Sequence, residues 1–490
     1  MNTKVRNLLF IGVFVLCMAL VLLLLVVTQP KAPEEEVAVD ASITLHSGTK
    51  DDVKSLVIKN EHSEFKIEQN VKGFYIAEFE GLKQNTTTMG AAGNCATSIK
   101  ASALVEENAT DFAKYGLSDE NPKASVFVTL KNGEEYTVYF GNDIPNSSSV
   151  YCRMADSQSV YAISKNSTGY FYYAKERFIS VAIKGEIANA NVAPVIDRLT
   201  INRKDLDYEI VFVDDSKKHS ASEISVISAQ VMIEPVYAGL DVTTAEPVIF
   251  GFWGLSAQEA VVAFPTEADF EKYGLLDPFC EVNLQAELQE YNLKIGNVAY
   301  YEESATGDTS VPAAYYGYFS DIDAIFIFST SDIPWVDMKP MDVISPMMTA
   351  NYIITVDYIK LEFDNAGKTS YNFDITGDTE KAEMTVDLAG TSIDEEHFKI
   401  FYQYLLKCPI EDLCFTEPAE DAKMLCKVEI MNNNGTSDTL EFFEAGNNEV
   451  IIKLNGHTSF RQHKSYLDTL EKNTELIANG ATGDDLQMVW

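Results

Sequence analysis

The chain has 490 residues, of which 46% are apolar and 11% aromatic, so it is long enough for roughly three domains and apolar enough for packed cores. It carries 37 Lys and Arg against 74 Asp and Glu, and the resulting net charge of −37 excludes nucleic-acid binding because such a surface repels phosphates. Seven irregularly spaced cysteines are too few for a disulfide scaffold.

The first predicted element is an apolar run, Leu8–Val27, which contains no charged residue. Its 20 residues match the thickness of a bilayer core and predict a single transmembrane anchor. Lys4 and Arg6 precede the run, so the positive-inside rule predicts a cytoplasmic N-terminus and an extracytoplasmic remainder. A cleavable signal peptide is the alternative, although the run is longer than usual and no Ala-x-Ala-like site follows it.

The segment after the anchor, residues 29–50, is acidic and contains prolines, which predicts an extended tether. Folded structure is expected from about Val53. From there an apolar pattern occurs three times with the same spacing, and a second strand-like stretch follows each copy, so each copy is expected to open with a hairpin. The three copies of the pattern are Val53, Leu56 and Ile58; Ile196, Leu199 and Ile201; and Val356, Ile359 and Leu361.

A second repeat is stronger, with six identities in seven positions at a stride of 158 residues. It predicts a short helix that is stopped by a glycine at positive φ, after which a leucine folds back onto the helix. The repeated residues are Asp111, Phe112, Tyr115, Gly116 and Leu117 in the first copy, and Asp269, Phe270, Tyr273, Gly274 and Leu275 in the second. We interpret both aspartates as helix caps and all ten residues as structural.

Tight two-residue hairpin turns are predicted at Asn132-Gly133 and at Asn434-Gly435, because alternating apolar residues flank both pairs. The third copy lacks the Tyr-Gly-Leu element. It has a clearer helix, for which Ser392 and Glu395 are expected to form a capping box. Two aromatic clusters, Tyr170–Tyr173 and Tyr315–Phe319, are expected to pack in cores or between units, and carbohydrate stacking is the alternative.

These features together resemble a bacterial family known as domain of unknown function 4340. The resemblance rests on Tyr-Gly-Leu, Pro122, the strand ending at Asn132-Gly133, and the strand that runs to Gly141-Asn142. It is good from about Val53 to Ser180, fair from Ile196 to Met338 and weak beyond. The resemblance implies a membrane-anchored envelope protein that is accessory to ABC-type transporters of the kind associated with gliding motility, and it implies no catalytic residues.

Sites of chemistry are hard to find. No nucleophile elbow or phosphate-binding loop occurs. His457 and His463 have no partner at a ligand-like offset, so surface histidines are expected rather than a zinc site. Cys408, Cys414 and Cys426 do not have metal-ribbon spacing; a disulfide between the first two and buried free thiols are both open. We predict no catalytic residue, metal or cofactor.

The sequence therefore predicts an α+β fold with one N-terminal transmembrane helix followed by three serial repeats of an antiparallel sheet with covering helices. The predicted function is a non-enzymatic, extracytoplasmic binding or adaptor protein whose partner is a transporter or envelope complex. A receptor for a cationic or glycan ligand is the alternative, and an envelope hydrolase with an acidic cleft is a third possibility. The expected boundaries are 1–28 for the anchor, 29–50 for the tether, 51–185, 194–345 and 352–475 for the three units, and 476–490 for a tail.

Overall fold

The computed structural model describes residues 42–188, 193–215, 227–303, 310–365, 367–408 and 410–487. Strands account for 45% and helices for 21% of the structure, and the strands form four antiparallel sheets. The prediction of an α+β fold is therefore wrong, since the chain is mostly antiparallel sheet. One physical reason is that segments assigned to covering helices, such as Ala113–Tyr115, form a single 3₁₀ turn before the chain returns to a strand.

The predicted anchor, Leu8–Val27, and the first part of the predicted tether lie outside the described residues. Within the part of the chain that the structure describes, no helix is both long and apolar enough to cross a membrane. The end of the predicted tether is ordered differently from the expectation. Ile43–His46 forms strand β1, which pairs with β5 (Ile99–Ala101) in a two-stranded sheet.

The first large sheet has eight strands. They are β2 (Val53–Asn60), β3 (Glu64–Asn70), β4 (Gly73–Tyr75), β6 (Ala103–Glu106), β7 (Ala124–Leu130), β8 (Glu135–Asp143), β9 (Ser149–Met154) and β10 (Val160–Ser164). Their order across the sheet is β4-β3-β2-β7-β8-β9-β10-β6.

The second large sheet has nine strands. They are β11 (Ile196–Arg203), β12 (Ile210–Asp214), β13 (Ile227–Glu234), β14 (Ala238–Asp241), β15 (Glu259–Ala263), β16 (Cys280–Ala286), β17 (Gln289–Glu303), β18 (Ser310–Phe319) and β19 (Ala324–Ser329). Their order is β14-β13-β12-β11-β16-β17-β18-β19-β15.

The third large sheet also has nine strands. They are β20 (Val356–Phe363), β21 (Ser370–Asp378), β22 (Glu383–Leu388), β23 (Thr391–Ile393), β24 (Asp412–Leu413), β25 (Met424–Asn432), β26 (Ser437–Gly446), β27 (Glu449–Leu454) and β28 (His457–His463). Their order is β23-β22-β21-β20-β25-β26-β27-β28-β24.

The three large sheets share one strand order. In each, the first strand lies in the middle and pairs with the second strand on one side and with a later strand on the other. One edge of each large sheet is a short strand, which is β6, β15 or β24. In sequence this strand comes from the middle of the segment that forms the sheet. The same path is therefore followed three times.

A β-bulge at one position explains the repeated apolar pattern. Val53 and Leu56 are three residues apart, a spacing that would place them on opposite faces of a regular strand. The register with β7 shifts between Val53 and Ser55, and this bulge returns both side chains to one buried face. Shifts at the same place occur between Ile196 and Arg198 and between Val356 and Tyr358, and all nine residues of the pattern have no exposed surface.

The two hairpins that were expected to have two-residue turns have three-residue loops instead. Leu130 N donates to Glu134 O at 2.9 Å, which leaves residues 131–133 in the first loop, and Asn432 N donates to Thr436 O at 2.8 Å in the second. A two-residue type I′ turn needs positive φ at both central residues, whereas here only Gly133 and Gly435 have it. The Asn-Gly pair therefore marks the turn but does not fix its length.

Six α-helices accompany the sheets in the described chain. They are α1 (Thr86–Thr97), α2 (Val242–Ile249), α3 (Glu267–Lys272), α4 (Pro340–Val343), α5 (Glu395–Leu406) and α6 (Lys464–Ala478). Helix α5 buries the predicted apolar face, Phe398, Phe401, Tyr402 and Leu405. Its cap is Asp394, whose carboxylate accepts from His397 N at 3.1 Å, and Ser392 lies in β23 instead.

The chain divides into two compact units. One contains the described residues up to Ala77 together with Thr86–Ala174, and thus the first large sheet. The other contains Glu78–Asn85 and the residues from Lys175 onward, and thus the second and third large sheets. The finer boundaries expected from the sequence, one unit for each sheet, stay a prediction.

Candidate functional site

The two copies of the Asp-Phe-x-Lys-Tyr-Gly-Leu motif have closely similar geometry. Gly116 has φ of 71° and Gly274 has φ of 74°, and in both copies the leucine N–H donates back to the carbonyl of the phenylalanine, at 3.0 and 2.7 Å. Leu117 and Leu275 are fully buried. The motif therefore ends a short turn and anchors it to the sheet by the leucine side chain.

Each motif lies against a Gly-Asn pair in the strand that passes below it. A Cβ on Gly141 would lie 2.1 Å from Tyr115 O, and a Cβ on Gly296 would lie 2.2 Å from Tyr273 O. The following asparagine contacts the motif glycine: a Cβ on Gly116 would meet Asn142 Oδ1 at 2.7 Å. Backbone therefore approaches backbone, and only glycine fits on the strand side.

The motif tyrosines pack on a strand tyrosine in the same way in both copies. The rings of Tyr115 and Tyr151 are 4.8 Å apart at 54°, and those of Tyr273 and Tyr316 are 4.6 Å apart at 53°. The motif lysine lies 4.7 Å from the ring centroid of its neighbouring tyrosine in both copies. The strand cluster Tyr315–Phe319 thus serves packing within its own sheet.

The aspartates of the two motifs hold local backbone. Asp111 Oδ1 accepts from Ala113 N at 3.1 Å. In the capping box of α3, Asp269 Oδ2 accepts from the Thr266 hydroxyl at 2.6 Å and from Thr266 N at 2.8 Å, and these bonds, the hydroxyl's first, hold the pKa of Asp269 below its usual range. In both motifs the carboxylate thus accepts from a backbone N–H group and serves local structure.

The group that packs on the motif phenylalanine differs between the two copies. Arg153 is 1% exposed, lies between the rings of Phe112 and Tyr139 at 4.1 and 4.5 Å, and forms an ion pair with Asp119. Phe270 instead packs edge-on against Tyr318 at 4.8 Å. The Arg153 guanidinium in the first copy and the Tyr318 ring in the second thus occupy the same place beside the motif phenylalanine.

Glu106 completes the first motif from the edge strand β6. It accepts from Lys114 Nζ at 2.8 Å and from the Tyr115 hydroxyl. These hydrogen bonds, from Lys114 first and then Tyr115, hold the pKa of Glu106 below its usual range, and they raise the pKa of Lys114. The cluster is an exposed ion pair that ties the turn to the sheet edge.

The cysteines of the described chain are free thiols, and the disulfide between Cys408 and Cys414 is not formed. Burial raises the pKa of Cys152 and of Cys280 to about 12 and raises that of Cys408 further. A thiol with so high a pKa carries almost no thiolate at neutral pH, so these side chains act as small apolar core residues.

The two histidines considered as metal ligands have separate partners. His457 stacks on Tyr237 with centroids 5.3 Å apart, and His463 lies 3.4 Å from Glu411. Among the described residues no three His, Cys, Asp or Glu side chains converge as a metal site would require.

An open groove of about 470 Å³ lies in the second compact unit, where loops of the second and third sheets meet. Its wall carries four aromatic rings and three carboxylates, one of which is that of Glu417, and we call it the acidic groove. The other six of these residues are Asp207, Tyr208, Glu234, Tyr237, Phe415 and His457. The rings form two pairs, because Tyr208 and Phe415 are 5.4 Å apart and Tyr237 stacks on His457.

Sequence reasoning missed the acidic groove. Phe415 lies about two hundred residues away from Tyr208 in the chain, and no sequence pattern links the two. The loop after β11, the loop after β13 and the segment after β24 place these residues together. The nearest signal in the sequence is one phenylalanine, Phe415, within an acidic stretch.

A second groove, of about 800 Å³, lies in the same compact unit and has a different character. Its lining includes Lys83, Lys184, Phe264 and Tyr291. The Lys184 ammonium lies 3.9 Å from the ring centroid of Tyr291. The chain's own cation therefore already covers the aromatic face in this second groove.

A comparison with known protein families finds a match to the region that contains the first motif. Residues 94–227 match the family model described as Domain of unknown function (DUF4340). The match includes Asp111–Leu117 and the first strands of the second sheet. It supports the resemblance to that family, while the association with transporters stays a proposal. None of the curated proteins matches the chain.

Proposed function

We propose that the protein acts by binding, as a non-enzymatic adaptor, and that the acidic groove is part of its binding surface. The observation that carries this proposal is the exposure of Phe415 and of the acidic side chains beside it in the groove. Phe415 is 59% exposed, and Asp207 and Glu234 also face solvent. Exposed aromatic side chains beside polar groups are typical of surfaces that bind a partner.

Residues elsewhere in the chain that could carry out chemistry serve structure instead, which supports a binding role. The two repeated motifs use their aspartates, tyrosines and lysines in capping, ring packing and ion pairs. The buried thiols have raised pKa values. The residue types with which an enzyme would act as base or nucleophile are thus engaged in structure at these places.

The proposed setting is the outer face of a membrane, with the apolar run before residue 28 as the means of attachment. The partner in this proposal is a protein of an envelope complex, and an ABC-type transporter is the class that the family resemblance implies. A receptor for a cationic or glycan ligand is a second candidate, which the carboxylates and aromatic rings of the acidic groove favour.

Two assays of the purified full-length chain test the proposal. The first measures retention of a co-purifying protein at low and high salt, and the second measures turnover of cell-wall glycans and peptides. Saturable, salt-sensitive binding without turnover is expected. Turnover that is lost when one or two neighbouring carboxylates are changed would contradict the proposal and indicate an envelope hydrolase.

A further inference from the structure

The acidic groove has two carboxylates without an ion-pair partner. Asp207 and Glu234 are exposed, and neither forms a salt bridge with a described residue. Glu417, the third carboxylate of the lining, differs because it pairs with Lys453 at 2.6 Å, and this contact lowers the pKa of Glu417. The groove therefore keeps negative charge that the surrounding residues do not neutralise.

Two aromatic rings of the groove, those of Tyr208 and Phe415, pack against each other with centroids 5.4 Å apart. No cation among the described residues lies over the ring of Tyr208 or of Phe415. Elsewhere the molecule covers such faces itself, with Arg153 over Phe112 and with Lys184 over Tyr291. Carboxylates without an ion-pair partner beside aromatic rings that carry no cation are the combination that binds a guanidinium or ammonium group, through ion pairing and cation–π contact.

We propose that the acidic groove binds a basic polypeptide segment through its cationic side chains, and arginine in particular. This inference rests on the proposed binding function and specifies the chemistry of the partner. Arginine fits best because its planar guanidinium both stacks on an aromatic ring and donates two hydrogen bonds to one carboxylate. A volume of about 470 Å³ accommodates a few side chains. The chain's net charge of −37 adds a long-range attraction for such a partner.

The direct test is titration of the full-length chain with a blocked peptide, Gly-Arg-Gly-Arg-Gly, at low salt. The matched probe is the same peptide with citrulline in place of arginine, which keeps the shape and removes the charge. We expect saturable binding of the arginine peptide and at least fivefold weaker binding of the citrulline peptide. Equal affinity for the two peptides would overturn the proposal.

Substitutions in the acidic groove test whether the arginine peptide binds there. The double variant Asp207→Asn/Glu234→Gln and the single variant Phe415→Ala should each weaken binding of the arginine peptide at least fivefold. The control, Glu120→Gln/Asp156→Asn, makes the same change in net charge at exposed positions in the other compact unit and should leave the affinity unchanged. Equal losses in both double variants would show a general charge effect and overturn the assignment. Melting curves report whether each variant is folded.

Two further outcomes separate this inference from the proposed function. If the groove variants retain the natural partner as well as the wild type does, the inference fails while binding stands. If a chitooligosaccharide binds in the groove and the arginine peptide does not, the groove is a glycan site and the inference is wrong. Turnover of a glycan or peptide would instead contradict the binding function itself.

Discussion

At the scale of single residues, glycines of the first sheet and its motif are required for two separable reasons, which are a positive φ and a close approach of neighbouring atoms. Gly116 requires positive φ and also contacts Asn142, Gly141 requires only space against Tyr115 O, and Gly133 requires only positive φ. The sequence repeat indicates the first requirement. It does not show the close approach of Gly141, because that contact joins residues of two different elements.

These glycines give a graded prediction for stability. Gly133→Ala should cost about 1 kcal/mol, from backbone strain alone. Gly116→Ala should cost more because its Cβ also crowds Asn142, and Gly141→Ala should cost at least about 2 kcal/mol because its Cβ meets a backbone carbonyl. Chemical denaturation of the purified variants measures the order. A Gly141→Ala variant as stable as the wild type would contradict the close approach.

Glu106 gives a prediction for pH dependence. Its pKa is lowered in the folded state, so the ionised carboxylate stabilises the first unit above its unfolded pKa of about 4.3, and this contribution is lost as pH falls through the lower folded value. Glu106→Gln should therefore lower the melting temperature at neutral pH, and the difference from wild type should shrink below about pH 4. Glu107→Gln makes the same charge change next to it and is the control. A difference that stays constant with pH would contradict the ion-pair explanation.

At the scale of elements, the strand pattern was predictable and the turns were less so. The spacing of Val53, Leu56 and Ile58 identifies a repeated buried strand, but the bulge that makes this spacing compatible with one face is visible only in the register with β7. The motif Ser392-x-x-Glu395 satisfies the rule for a capping box, yet Asp394 stands next to the first helical residue and takes the role. Competing local signals within three residues cannot be separated by sequence alone.

The cap of α5 is testable by local exchange. Asp394→Ala should destabilise the start of the helix by about 1 kcal/mol, which corresponds to roughly fivefold faster amide exchange where exchange follows local opening. Ser392→Ala should leave this exchange unchanged, because Ser392 lies in β23. Hydrogen exchange of the α5 peptides, read by mass spectrometry, makes the comparison. Faster exchange in Ser392→Ala alone would restore the capping box expected from the sequence.

At the scale of the whole molecule, the repeated strand order follows from patterns that the sequence carries, whereas the acidic groove does not. Its side chains come from loops and strand ends of two different sheets, and no periodicity links them. Loops that connect strands are free of the alternation that the core imposes, so their residues can be selected for binding. For this reason the chemistry of the groove could be inferred only after the fold placed Tyr208 beside Phe415.

The central claim is that the protein binds its partner at the acidic groove, and site-specific photo-crosslinking in intact cells tests it most directly. A benzophenone amino acid replaces Phe415 in the groove or, as a control, the exposed Phe127 on β7. We predict a discrete crosslinked product from position 415 that is lost when Asp207→Asn and Glu234→Gln are added, and no such product from position 127. Equal products from both positions, or a product from 415 that survives loss of both carboxylates, would contradict the account.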